Sequence, residues 1–255
     1  MKKNILNFIT SIALISAITS CQDMDRPELG EYPLDTGNYT PKDGEKLYAS
    51  FENKYYLNNI SGAPALKTGN PGLGIPKMGN YSYSGASNSY ISYSLKDLYS
   101  TAGISFAFWY KVNASPDRAG IITINDNENN ADDNRKQGLR IFREGNTSKQ
   151  RIKLNLGIGT ADSWNDGGEI NVDGNWVYVT VTISPTASKI YFNGVLQNTA
   201  SYTSSFDFST SSTMVVGSGA PSFTYWNHNS DLSLIDDLRV FNKELSLAEI
   251  QSLMQ

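Results

Sequence analysis

Cysteine occurs once in this chain, at Cys21, and histidine once, at His228. No disulfide can form within the chain, so an ordinary apolar core must hold it together. A chain of 255 residues is long enough to bury one. Basic runs are also missing, with 21 Lys and Arg scattered against 25 Asp and Glu. Nucleic acid is excluded as a partner on that ground, because binding it requires clustered cations that displace phosphate counterions. No apolar stretch reaches the roughly 20 residues of a membrane-spanning helix. Ile5 to Ile18 comes nearest, and Asn7 and small polar residues interrupt it. With a single histidine, set in a polar segment, no Ser-His-Asp arrangement stands out either.

What is present at the front is a secretory signature. Met1-Lys2-Lys3 is a charged head, Ile5 to Ile18 an apolar stretch, and Ile18-Thr19-Ser20-Cys21 closes it. That tetrad resembles the lipobox of bacterial lipoproteins, which implies cleavage after residue 20 and lipidation of Cys21. Acyl chains would then hold the protein to a membrane at about 0.8 kcal/mol per buried CH₂, without the polypeptide entering the bilayer. Loss of Lys2 and Lys3 with residues 1–20 moves the formal charge from −4 to −6. Residues 21–45, with Pro27, Pro33 and Pro41 among Asp, Glu, Gly and Asn, read as a flexible tether. Asp23-Met24-Asp25 resembles the tag that sends lipoproteins of the Bacteroidota to the outer face of the outer membrane. The expected location is therefore the outer membrane, lipid-anchored and facing the exterior.

Residues 46–255 read as one domain of short strands. Fifteen tyrosines, abundant Gly, Ser, Thr and Asn, and dense turn chemistry suit an extracellular β-protein. Leu47 to Phe51 opens the series, and Ser89 to Tyr93 alternates with a period of two. In Ile104 to Val112, Phe106, Phe108 and Tyr110 share one face, with Ser105, Ala107 and Trp109 on the other. Further strands are expected at 121–124, 139–142 and 152–158. Trp176 to Ile183 sets Val177, Val179, Val181 and Ile183 against Trp176, Tyr178, Thr180 and Thr182. Asn193-Gly194 between apolar runs predicts a type I′ hairpin, because both positions need φ > 0. Only the end is helical: Ser246 and Glu249 have capping-box spacing, and Leu247, Ile250 and Met254 share a face. The pattern predicts an all-β fold, a two-sheet antiparallel sandwich with a short C-terminal helix, a closed barrel being the other arrangement it permits.

Three segments together resemble the laminin-G-like jelly roll of the concanavalin-A-like lectin/glucanase superfamily. They are Ile104 to Lys111, then Asn175 to Val181 with Ile190 to Gly194, then Leu234 to Phe241 with Leu245-Ser246 and Ala248 to Ile250. The resemblance covers residues 46–255 and implies a jelly roll. The lipoprotein head further resembles small surface lipoproteins encoded with polysaccharide-uptake systems.

Relatives of this kind include lectins, adhesive domains and hydrolases, so function has to be argued from sites. The laminarinase-type enzymes on this fold carry Glu-x-Asp-x-x-Glu on one strand, and no Glu-x-Asp occurs here. The run Asn125 to Asn134, with Glu128, Asp132 and Asp133, reads as a solvated loop. Catalytic residues are accordingly expected to be absent. Trp109 and Trp176 lie in core-pattern strands, whereas Trp164 and Trp226 lie in segments without strand periodicity. A pyranose presents an apolar C–H face that stacks on indoles, and amides bond its hydroxyls. Trp164, Trp226, Tyr225, Asn227 and His228 are the expected glycan contact. The resemblance also implies one structural Ca²⁺ held by Glu52 and Asp236, with Glu52 standing where the family has Asp. The function expected is non-catalytic binding of a polysaccharide or oligosaccharide, beside outer-membrane glycan transporter proteins. Adhesion to protein or host matrix, and a hydrolase with non-standard residues, are the alternatives.

Overall fold

A computed structural model describes residues 39–124, 135–224 and 226–255. Cys21, the signal, most of the tether, the 125–134 run and Tyr225 lie outside the described residues. Two antiparallel sheets face each other. Sheet one runs β14 (Val195–Ser201), β13 (Ala187–Phe192), β12 (Val177–Ile183), β6 (Ile104–Lys111), β16 (Leu234–Phe241), β4 (Ser82–Ser84), β3 (Gly72–Gly74), with β1 (Glu45–Ala49) also on β16. Sheet two runs β10 (Asp162–Asn165), β9 (Lys149–Gly157), β8 (Leu139–Gly145), β7 (Arg118–Ile124), β15 (Thr213–Val216), β5 (Tyr90–Ser94), β2 (Leu66–Thr68), with β11 (Glu169–Asn171) also on β9. The arrangement is a jelly-roll-like sandwich.

Period-two alternation decides which side chains meet between the sheets. Phe106, Phe108 and Tyr110 of β6 and Val179, Val181 and Ile183 of β12 point inward, against Ile141, Ile152, Leu154 and Leu156 of sheet two. On the opposite side of sheet one, Ala107, Tyr178, Tyr191 and Phe241 form a second cluster under α1 (Leu247–Ser252). The capping box of Ser246 and Glu249 is made. Leu247 is 48% exposed, however, and Ile250, Leu253 and Met254 make the contact instead. One turn and a half of helix sits flat on the sheet, which narrows its buried stripe to those three. Asn193 and Gly194 adopt φ of 48° and 74°, and the hairpin forms.

Three expectations need correction. The first strand is Glu45–Ala49, and Ser50 and Phe51 lie beyond it. Packed residues also precede Lys46. Glu45 is buried and accepts from Arg239 at 2.9 Å, and Tyr39 stacks at 4.4 Å on Tyr48. A buried guanidinium needs this carboxylate, so the segment before Lys46 belongs to the domain. Asp162–Asn165 is a strand, not a loop, because Gly159 (φ 80°) turns the chain back onto β9.

A second buried charge network lies between the sheets. Arg143 of β8 is 0% exposed; its Nε donates to Asp231 at 3.0 Å and its Nη1 to Gln150 and Pro116 at 2.8 and 2.7 Å. Asp231 accepts in turn from Tyr110 of β6 at 2.6 Å and from the Ser233 hydroxyl at 2.7 Å. The network joins both sheets. Asp231→Asn removes the counter-charge from a guanidinium that water cannot reach, and should cost about 3–5 kcal/mol in chemical denaturation. Glu169→Gln, which breaks exposed surface pairs, should leave the denaturation midpoint almost unchanged in the same assay.

Candidate functional site

The outer face of sheet two carries the candidate site. In β8 and β9 the inward positions are apolar except for Arg143 and Gln150 of the buried network, and the outward ones are Arg140, Phe142 and Glu144 on β8 and Lys149, Arg151, Lys153 and Asn155 on β9. Register then sets neighbours: Asn155 lies between Arg140 and Trp164, and Lys153 opposite Phe142. Trp164 reaches the surface here from an edge strand and is 37% exposed.

A closed excursion, residues 217–231, lies across the same face. Its neck is the Asp231 N–H donating to the Gly217 carbonyl at 2.8 Å, and the Gly219 N–H donates to His228 O at 3.0 Å. It is tied to the sheet by Gly120 N–H on Asn229 O and by Thr123 Oγ1 on Ser218 O, each 3.1 Å. A Cβ at Gly120 would come within 2.1 Å of the Gly219 nitrogen, so only glycine lets the loop lie this close. Phe223 and His228 are buried beneath the loop. Their rings stack at 4.8 Å with 7° between planes, and both pack on Phe142.

This packing brings the expected residues together in part. Trp226, half-buried, lies 6.1 Å from Trp164 between centroids, tilted by 33°. Asn227 is exposed and takes a left-handed turn with φ 63°. His228 is not a surface ligand. It is 2% exposed, neither ring nitrogen has a hydrogen-bond partner, and Nε2 stands 3.6 Å from Glu144. Burial pulls its pKa down to about 4, against the attraction of Glu144, so the ring is neutral at physiological pH. The apolar pocket of Phe142 and Phe223 explains the departure, since a neutral imidazole fits there as an aromatic ring.

Other residues complete the site without having been singled out from sequence. Asp162 Oδ2 accepts from the Trp164 indole N–H at 3.0 Å and from Asn155 Nδ2 at 2.8 Å, with Arg135 Nε also at 3.0 Å. The Arg135 guanidinium carbon lies 4.7 Å from the Trp226 ring and 5.6 Å from the Trp164 ring. One carboxylate thus fixes an indole directly and, through Arg135, aligns its neighbour. Asp-x-Trp spacing, which puts both side chains on one strand face, was the available signal for Asp162. The alternating Lys-x-Arg-x-Lys of β9 was the signal for the outward cations. For Arg135, at the end of a polar run, there was none.

The residues named for calcium adjoin one turn. Asp236 Oδ2 accepts from the Lys77 and Met78 N–H groups at 2.7 and 2.9 Å, and Oδ1 from Asp237 N–H at 2.8 Å. Glu52 accepts from the Asn80 N–H at 2.9 Å. Calcium is held by oxygens, and here N–H donors take up both carboxylates. As arranged, the residues do not fit a calcium cage; the carboxylates brace residues 77–80 themselves. Burial raises the Asp236 pKa to about 6, the three backbone bonds opposing it. Among the described residues, no cluster of three or more His, Cys, Asp or Glu has metal-binding geometry.

A family model of the concanavalin A-like lectin/glucanases superfamily (Laminin_G_3) matches residues 84–251. Comparison with curated protein sequences gives no match. Among solved structures, the chain is similar to domain 4 of AbnA, a GH43 extracellular arabinanase from Geobacillus stearothermophilus, in complex with arabinotriose. The TM-score is 0.59 at 18% identity, over 83% of this chain and 98% of that one. It is also similar to the binding domain of botulinum neurotoxin DC in complex with SialylT (TM-score 0.57, 17% identity, 83% of this chain and 51% of that one). The botulinum neurotoxin serotype C1 binding domain gives 0.57 at 18% identity, over 82% and 51%. The chain spans about half of each toxin domain.

Two outcomes follow from the two titrating groups. His228 is held neutral, so its contribution to stability is complete above pH 6.5 and lost as pH falls toward 4. Hydrogen exchange within 217–231 should rise over that window and stay flat in His228→Phe. Asp236 runs the other way, since its raised pKa favours the protonated form and its contribution fades as pH climbs from about 4 past 6. A scan of global stability would blur the two, so the exchange measurement is made locally. Separately, the thermal midpoint should be the same in EGTA and in millimolar calcium; a rise of several degrees with calcium would show a metal displacing the N–H donors.

Proposed function

Since the chain belongs to the Laminin_G_3 family of the concanavalin A-like lectin/glucanases superfamily, we propose that it is a non-catalytic glycan-binding protein of the cell surface. The observation that carries this reading is the Trp164–Trp226 pair, braced by Asp162 and Arg135 on the outer face of sheet two. An indole with about a third of its surface open, and its N–H already engaged, offers a ring face to the apolar side of a sugar. Asn227, exposed beside it, supplies an amide for hydroxyls. The arabinotriose complex and the SialylT complex of the similar folds support the same class of ligand.

The setting proposed rests on the N-terminal sequence. Cys21 is acylated, residues 1–20 are removed, and the domain faces outward from the outer membrane on a short tether. Captured polysaccharide is passed to neighbouring transport proteins. A few stacked rings bind weakly at one site, and many copies on one surface compensate through avidity.

Titration calorimetry against a panel of polysaccharides tests the binding. Trp164→Ala should weaken binding about tenfold or more, equivalent to about 1.4 kcal/mol, with little change in thermal midpoint. Trp226→Ala should weaken it as well, while Trp109→Phe, on sheet one, should leave it unchanged. Full affinity after both indoles are removed would defeat the proposal. Release of reducing ends on prolonged incubation would favour a hydrolase instead.

A further inference from the structure

Beyond Trp164 the outer face of sheet two continues into an open depression of about 700 Å³ lined almost wholly by charged and polar side chains. Lys149, Arg151 and Lys153 enter it at every second position of β9. Each is already paired. Lys153 lies 3.0 Å from Glu144 and 2.9 Å from Asp166, and Glu169 lies 2.9 Å from Arg151 and 3.4 Å from Lys149. On the indole side, Arg135 is matched by Asp162 in the same way. Hydrogen bonds to Asp166 and Glu144 hold the Lys153 pKa above its ordinary value despite burial, so its charge is firmly in place. Arg118, which also lines the depression, pairs with Asp117 at 3.3 Å, so the face is dense in charge yet locally paired.

Resting on the glycan reading above, we infer that this site takes uncharged glycan chains, running from the indoles into the balanced depression, and discriminates against chains bearing uronate or sulfate. A hydroxyl donates and accepts at once, so it can bond an ammonium and the adjoining carboxylate without separating them. An anionic sugar needs a cation with capacity to spare. Here it would have to displace Glu144, Asp166 or Glu169, or lie beside one of them and incur like-charge repulsion.

Native affinity electrophoresis of the full chain tests the inference. The probes are neutral polysaccharides (arabinan, xyloglucan, galactomannan) and acidic ones (polygalacturonate, alginate, chondroitin sulfate). At least one neutral probe should retard the protein and none of the acidic ones. The neutral dissociation constant should change less than about twofold between low and high salt, because no net charge is neutralised. Glu169→Gln releases Lys149 and Arg151 at an exposed position. It should gain polygalacturonate binding that high salt abolishes, and lose neutral affinity several-fold. Wild-type binding to an acidic probe as tight as to any neutral one would overturn the inference and leave the glycan reading standing. So would a Glu169→Gln protein still indifferent to polygalacturonate. Failure of every probe, neutral and acidic alike, would overturn both.

Discussion

The ion pair of Arg143 and Asp231 is the constraint on which the rest of the molecule depends. Both groups are out of water, and such a pair is tolerable only when its remaining hydrogen-bonding capacity is met. Gln150, Tyr110, Ser233 and the Pro116 carbonyl meet most of it, leaving Arg143 Nη2 with only its ion-pair contact to Asp231 at 3.0 Å. Gln150 lies on β9 beside Arg143 of β8, and Tyr110 on β6 with Ser233 at the approach to β16, so the network fixes how the sheets face each other. Asp231 also closes the neck of the 217–231 excursion. The position of Trp226 therefore traces back to a charge buried in the sandwich.

A platform built this way is rigid for identifiable reasons. Phe223 and His228 lie in an aromatic pocket over Phe142, and the loop's backbone approaches β7 as closely as Gly120 allows. Asp162 holds Trp164 from the opposite edge. Little ordering remains to be done when a ligand arrives, which favours a shallow surface site whose gross interaction energy is small. The neutral state of His228 is part of that rigidity, because the desolvation of an imidazolium in the same pocket outweighs its attraction to Glu144 at 3.6 Å.

Sheet one serves a different purpose. Its outer face is covered by α1 over Tyr178, Tyr191 and Phe241, and its β16 strand changes neighbour midway, from β4 to β1, at the left-handed Asp237. Asp236 at this break collects N–H groups that no strand would otherwise satisfy. A carboxylate there does the work of a backbone acceptor. The proposed glycan contact on sheet two and the helix-covered face of sheet one thus lie on opposite sides of the sandwich.

Much of the fold was legible along the chain. The alternation of Phe106, Phe108 and Tyr110, the Val179–Ile183 series, the Asn193-Gly194 turn and the Ser246 cap are local patterns governed by strand period, turn geometry and orphan backbone groups. The prominence of Trp164 and Trp226 could also be read, since neither sits in an apolar period. Their separation, the burial of His228 and the hub at Asp162 could not. Asp231 and Arg143 are 88 positions apart, and no local pattern distinguishes an acid destined for the interior from a solvated one. Sequence alone determined the main apolar strands, though not the edge strand that carries Trp164, and which residues would be candidates for contact with sugar. Only the tertiary structure decided which of them share a surface, because side-chain charge, burial and partnership arise from sheet register and loop closure between distant segments.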